Sequence, residues 1–352
     1  MLNDNIEIIE LENFYSKKLN NHRNIKIYLP PSYNRDLDKY YPVLYTHDGQ
    51  NVFAGEKSYS GESWDLHKTS DYLIRSGLIE EIIIVAIDNM KEERLSEYAY
   101  EDGNYKGKKV KAKAHFYEKF ITKELMPVIE EEFRVKKGAG NTALMGSSMG
   151  GLVTFNIGLK RADLFGKLAV MSPSFWWGKS SPLQKLKQYD YSSVKTKIWL
   201  DTGDSEGKFI TFSDKVIDKI LEIKKQKAIE LFYYLAPGGI HSEKAWAERV
   251  YCTLIHFYGR IGKKKKIKLF VKEQIKVSDK ALKINPVMYF DSTFKMTVLE
   301  GKYKSSNPEI LKVDQKGNLK AKKAGIAKIK FSAYGLKTAK TIKVIEKRPE
   351  KQ

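Results

Sequence analysis

Short apolar runs alternate with helix-period segments over the first 260 residues. Ile82 to Ile87 is a continuous apolar run rich in β-branched residues, the pattern of a strand buried on both faces of a sheet. Pro42 to Thr46, Thr142 to Met145, Leu168 to Met171, Ile198 to Leu200 and Leu231 to Leu235 also read as strands. Between them, Phe116, Phe120, Ile121, Leu125, Val128, Ile129 and Phe133 recur at helical spacing, with Pro127 expected to kink the helix. Gly151 to Arg161, Phe209 to Ile223 and Ala245 to Tyr258 read as further helices. The alternation predicts an α/β fold with a mainly parallel sheet and helices on both faces. The pattern changes at Gly262-Lys263-Lys264-Lys265-Lys266. Beyond it come short alternating runs and no helical pattern. Ile326 to Phe331 alternates apolar and cationic residues, as a half-exposed strand does. The reading is an α/β domain over 1–260, a basic linker over 261–266 and a small all-β module over 267–348.

Charge divides the chain at the same place. Residues 261–352 hold 25 Lys+Arg and 8 Asp+Glu, a net of +17, leaving only +3 for residues 1–260. Such a field suits a polyanion: an acidic glycan, a wall polymer, nucleic acid or anionic lipid. The bland alternative is a lysine-rich surface that guards edge strands and keeps the module soluble. Nucleic acid is the weakest partner, because no recognised reading motif accompanies the charge. The single cysteine, Cys252, permits no disulfide within the chain and suggests no thiolate metal site. No stretch is long and apolar enough to span a membrane. Met1 to Glu12 is acidic and lacks a signal-peptide pattern, which as written predicts a cytoplasmic protein.

Gly146-Ser147-Ser148-Met149-Gly150 carries the candidate chemistry. It is a G-x-S-x-G between a predicted strand and a predicted helix, the context in which a sharp turn lifts a serine hydroxyl above a sheet. Such a hydroxyl needs a base. Of six histidines, His241 follows an apolar run and Pro237-Gly238-Gly239, on a loop at a strand's C-terminal end. His115 and His256 fall in helical patterns; His22 and His67 read as surface positions. Between serine and histidine, Ile198 to Gly207 is a strand running into a polar loop, where Asp201, Asp204 and Glu206 compete as the acid that orients the imidazole. The order Ser…Asp/Glu…His is that of α/β-hydrolases. An oxyanion hole would use the Met149 N–H and one from the loop His47-Asp48-Gly49-Gln50-Asn51. This chemistry needs no metal or organic cofactor.

With these pieces placed, residues 5–260 resemble the esterase-D-like branch of the α/β-hydrolases, which includes feruloyl, acetylxylan and siderophore esterases. The segments carrying the likeness are YTHDGQNVF from Tyr45, SWDLHKT from Ser63, RLSEYAY from Arg94, MGSSMGG from Met145, SPSFWW from Ser172 and GGIHSEKAW from Gly238. The resemblance implies Ser148 as nucleophile, His241 as base, Glu206 as acid with Asp204 as fallback, and the Gln50 N–H as second oxyanion donor. It also implies that the Trp176-Trp177 loop lines the substrate pocket; the alternative is that one or both tryptophans are core. Arg94 is a candidate for a polar or acidic substrate group, or else an ion-pair partner of Glu97. Specificity is expected from loops 53–64, 91–112 and 172–190. The implied function is a serine carboxylic-ester hydrolase acting on acyl esters of a sugar, glycan or siderophore-like substrate. The alternatives are acyl transfer by the same triad, or a polymer-binding protein that keeps the hydrolase domain as a scaffold.

Tyr303 to Phe331, within 267–348, resembles the bacterial immunoglobulin-like group 2 module, a small β-sandwich of secreted and surface proteins. That likeness implies a secreted or cell-surface setting, against the reading of the N-terminus.

Overall fold

The computed structural model describes residues 6–53, 58, 61–178, 181–188, 195–223, 229–279 and 282–346. Parts of the expected specificity loops 53–64 and 172–190 lie outside the described residues. Among the described residues, ten strands precede Arg260: β1 (Glu7–Ser16), β2 (Asn21–Leu29), β3 (Val43–His47), β4 (Ile83–Ile87), β5 (Gly103–Tyr105), β6 (Lys108–Val110), β7 (Thr142–Ser147), β8 (Lys167–Met171), β9 (Thr196–Gly203) and β10 (Ile229–Ala236). The helices are α1 (Gly49–Val52), α2 (Leu66–Arg75), α3 (Arg94–Tyr98), α4 (Ala114–Phe120), α5 (Met126–Glu132), α6 (Met149–Lys160), α7 (Ser181–Gln188), α8 (Lys208–Ile223), α9 (Glu243–Ala247) and α10 (Val250–Tyr258).

Eight strands form one sheet in the order β1-β2-β4-β3-β7-β8-β9-β10. β1, β2 and β4 pair antiparallel, and the run from β4 through β9 is parallel. This is the α/β architecture the alternating pattern predicts. β3, β4, β7 and β8 are buried at every residue, which is why their sequences show no polar alternation. Strand order reverses between β3 and β7. From β3 the chain moves out to β4, whereas from β7 it moves the other way, to β8 and β9. Loops leaving the C-terminal ends of two such strands diverge and leave a crevice. Here those loops are Asp48-Gly49-Gln50 and the turn at Ser148.

Two helices differ from expectation. The segment around Pro127 is not simply kinked. A π-helical turn, Ile121–Leu125, precedes α5, whose first turn holds the proline. Proline lacks the N–H for the i−4 carbonyl and its ring crowds that turn, and widening the turn before it lets the helix run on. The helix expected over 245–258 is broken into α9 and α10 at Glu248 and Arg249, where Arg249 turns its side chain inward and is 3% exposed.

The chain divides into two compact units, Met1–Phe232 with Gly238–Arg260, and Tyr233–Pro237 with Ile261–Gln352. From Ile261 on, the described residues contain strands and no helix: β11 (Lys264–Phe270), β12 (Gln274–Lys276), β13 (Leu282–Lys283), β14 (Asn285–Phe290), β15 (Lys295–Thr297), β16 (Lys302–Ser305), β17 (Leu311–Val313), β18 (Asn318–Ala321), β19 (Gly325–Ala333) and β20 (Leu336–Ile345). They form sheets β11-β14-β15, β12-β20-β19-β16 and β13-β18-β17, the strand-rich make-up of a small β-sandwich.

Candidate active site

Ser148 links β7 to α6 with φ 58° and ψ −119°, a backbone conformation that L-residues rarely adopt. The turn is held from both sides. The Ser148 N–H donates to the Met171 carbonyl (3.0 Å), and its own carbonyl accepts from Leu152 (3.1 Å) and Ser174 (2.9 Å). Glycine is required at 146, because a Cβ there would lie 2.6 Å from the Gly150 carbonyl carbon and 2.8 Å from the His47 ring. The hydroxyl thus stands at the C-terminal edge of the sheet, 3.0 Å from His241 Nε2 and 3.4 Å from Ser174 Oγ.

His241 follows β10 on the Gly238-Gly239 loop. Its Nδ1 lies 2.8 Å from Glu206 Oε2, and its side chain keeps 29% of its surface exposed while that of Glu206 keeps none. Phe209 stacks on the imidazole at 4.1 Å, and Trp246 meets it edge-on at 5.0 Å. Burial alone would raise the Glu206 carboxyl; hydrogen bonds from His241, the Gly203 N–H and Ser172 outweigh it and hold the group below the ordinary carboxylate range. An ionised Glu206 accepts a hydrogen bond from Nδ1–H, which keeps the proton on Nδ1 and leaves Nε2 as an acceptor facing the Ser148 hydroxyl.

The three competing acids separate cleanly. Glu206 faces the histidine. Asp204 is exposed, and its Oδ1 accepts from the Gly238 N–H (2.8 Å), pinning the loop that carries His241. Asp201 is fully buried, bound by Arg249 Nε (2.7 Å) and Trp199 Nε1 (2.8 Å).

Three supporting residues escape a reading of the sequence. Ser172 donates to Glu206 Oε1 (2.7 Å) and accepts from Trp246 Nε1 (3.0 Å) and Arg249 (2.7 Å). Arg249 also reaches Glu206 Oε1 at 3.3 Å. Ser172 and Trp246 lie inside SPSFWW and GGIHSEKAW, but nothing in those strings says that they meet. The only signal for Arg249 is a cation, beside Glu248, inside a mainly apolar helical pattern.

On the facing loop, Asp48 adopts the left-handed conformation (φ 59°) and opens α1. The first N–H groups of a helix have no intrahelical acceptor. Among the described residues, the Gln50 and Met149 N–H groups donate to no other group. The Gln50 side chain is occupied with the backbone of Asn89 (3.1 and 2.9 Å). Asp48 accepts from Arg94 on both oxygens (2.6 and 2.8 Å) and from Asn89 (2.6 Å). Burial opposes its ionisation, but Arg94 and Asn89 hold its carboxyl below the usual value. The ion pair offered as the alternative for Arg94, with Glu97, is not made. Arg94 is committed to Asp48, and Glu97 pairs with the buried Arg23 at 2.8 Å. Asp48 thus occupies Nε and Nη2 of Arg94 and balances its charge within the protein.

The two tryptophans also part company. Trp177 is 4% exposed, donates to the Glu101 carbonyl (3.0 Å) and packs against Gly103; it is a core residue. Trp176 is half-buried, stacked with Tyr105 at 6.4 Å, and edge-on to Phe209, the ring that covers His241. Phe209 carried no motif in the sequence. His67, expected at the surface, is 6% exposed, with its ring edge-on to Phe53. Its position on the inner side of α2 explains the difference. Among the described residues no three His, Cys, Asp or Glu side chains are grouped to hold a metal, and no helix is long and apolar enough to cross a membrane.

Comparison with known proteins gives this geometry its setting. The chain is 23% identical over 258 residues to the uncharacterized protein YbbA of Bacillus subtilis, covering 68% of this chain and 93% of that protein. It is 27% identical over 245 residues to an endo-1,4-beta-xylanase/feruloyl esterase of Xylanibacter ruminicola, covering 68% of this chain but only 30% of that longer protein. An IroE-like serine hydrolase from Shewanella oneidensis shares the fold with a TM-score of 0.58 and 23% identity, over 72% of this chain and 80% of the other. Residues 16–257 match the esterase family, described as “Putative esterase”. That span takes in Ser148, Glu206 and His241, and the chain belongs to this family of carboxylic ester hydrolases.

Proposed function

We propose that Ser148, His241 and Glu206 act as a catalytic triad on an aromatic acyl ester carried by a sugar or glycan. The observation that carries the triad is the continuous relay from Ser148 Oγ through His241 to Glu206, at 3.0 and 2.8 Å. Ser148 attacks the ester carbonyl while His241 Nε2 takes its proton. Glu206, held ionised by Gly203, Ser172 and Arg249, steadies the imidazolium. The N–H groups of Met149 and Gln50 receive the tetrahedral oxyanion, and Arg94 acts through Asp48 to position the Gln50 donor. His241 then protonates the departing alcohol, and water releases the acyl-enzyme by the reverse steps.

Two observations support the substrate class. Tyr105, Trp176 and Phe209 form an aromatic series that ends on the histidine, a surface suited to a planar acyl group. The xylanase/feruloyl esterase relative is named for esters of that kind.

Ser148→Ala should lower turnover of p-nitrophenyl acetate by about 10³-fold or more with an unchanged unfolding midpoint, and should abolish labelling by a fluorophosphonate. Retained turnover or labelling removes Ser148 as the nucleophile. A panel of methyl ferulate, an acetylated sugar and a lactone should rank the ferulate first; preference for the lactone would move the substrate to the siderophore class.

A further inference from the structure

One sheet face of the second unit carries a row of lysines. In the sheet β12-β20-β19-β16, Ala327, Ile329, Phe331, Ile342 and Val344 point inward and are buried. The alternate positions meet solvent. Register places Lys304 of β16 directly opposite Lys330 of β19, and sets Ser332 between Lys302 and Lys337. Lys328 and Lys343 extend the same face. All six lysines are exposed, and among the described residues none makes an ion pair. Lys302, Lys304, Lys328, Lys330 and Lys337 line an open hollow of about 790 Å³.

The ordinary explanations fit this face poorly. Lysines guard exposed strand edges, and Lys302 and Lys304 on the edge strand β16 could do so, but Lys328 and Lys330 lie on the interior strand β19, paired on both sides. Solubility calls for both signs interspersed. Like charges directly opposite one another destabilise a sheet, so Lys304 facing Lys330 carries a cost that a bound anion would remove.

We propose that this face binds an anionic polysaccharide, a glycan chain bearing carboxylates. The choice of a glycan rests on the substrate class proposed above; the existence of the lysine face does not. The face offers little to the other polyanions. Binders of single-stranded nucleic acid present exposed aromatic platforms, whereas here Phe331 is buried and Tyr303 lies on the inward side. A duplex groove admits a helix or a two-stranded ribbon rather than a sheet face. No arginine occurs between residues 261 and 346. A membrane surface needs apolar side chains to insert, and among the outward positions of β16, β19 and β20 only Ile326 is large and apolar.

The test is calorimetric titration of full-length Ser148→Ala protein with polygalacturonate at low and high salt. Binding should appear at low salt and weaken as salt rises. Joint Lys302→Gln, Lys304→Gln, Lys328→Gln and Lys330→Gln substitution should reduce affinity by about tenfold or more. Joint Lys266→Gln, Lys268→Gln, Lys312→Gln and Lys320→Gln substitution removes the same charge from other exposed positions and should leave affinity essentially unchanged. Equal loss in both sets, tighter binding to single-stranded DNA or anionic vesicles, or no binding of polygalacturonate overturns the proposal. With Ser148 intact, the four face substitutions should leave p-nitrophenyl acetate turnover at its original rate. Absent glycan binding beside intact turnover therefore rejects this proposal alone. Glycan binding beside turnover that is indifferent to Ser148→Ala rejects the catalytic assignment alone.

Discussion

Of the three candidate acids, Glu206 is the one that faces His241. Its Oε1 collects the Gly203 N–H, the Ser172 hydroxyl and Arg249, and this anchoring leaves Oε2 aimed at His241. Asp204, two residues earlier, cannot reach the imidazole while it holds the Gly238 N–H. The two acids should therefore answer differently to isosteric change. Glu206→Gln keeps the shape but cannot balance an imidazolium, and should lower kcat/KM by on the order of 10³- to 10⁴-fold. Asp204→Asn retains an acceptor oxygen for Gly238 and should cost less than about tenfold. Steady-state kinetics on a single ester rank the two, and the reverse order would transfer the acid's role to Asp204.

At the scale of elements, the site depends on how closely α6 approaches the ends of β3 and β7. A Cβ on Gly146 would meet backbone atoms of Gly150, which cannot swing aside as a side chain can. Gly146→Ala should destabilise the protein by about 1–3 kcal/mol and reduce activity, because relief requires moving the Ser148 turn. Gly140→Ala makes a fair control, since a Cβ there has nothing within 4 Å. Denaturant midpoints of the two variants provide the measurement, and equal midpoints would contradict the packing argument. The first turn of α6 is thus confined by sterics, and the proposed oxyanion loop by the Asp48–Arg94 pair.

At the scale of the molecule, buried histidines set a pH dependence. His47 and His256 are 0% and 4% exposed, and burial holds each imidazole down to about 3 from an ordinary 6.5. The unfolded chain therefore binds more protons than the folded one between about pH 3 and 6.5. The stability these groups contribute is complete above pH 6.5 and is lost as pH falls. At pH 5 the loss is on the order of 2 kcal/mol for each histidine. Thermal unfolding should show a Tm that declines below pH 6.5, with a shallower decline in His256→Phe. An unchanged slope in that variant would exclude His256 as a source.

Periodicity and local sterics made part of this protein readable from its residues alone. Uninterrupted apolar runs mark strands with no exposed face, and a serine between glycines marks a turn that other residues would block. Leu168 to Met171 and Gly146 to Gly150 needed no distant partner to be recognised. What the tertiary structure decided is pairing between groups far apart in the chain. Arg94 could have met Glu97 one helical turn away, but Arg23 on β2 took that glutamate and Asp48 took the arginine. Ser172 and Arg249 reach Glu206, and Trp246 reaches Ser172, only because the end of β8, the loop after β9, α9 and the break after it come together in space. Side-chain periodicity reports which way a residue faces. It does not report which of several compatible charges will be nearest, because that depends on the packing of the whole sheet.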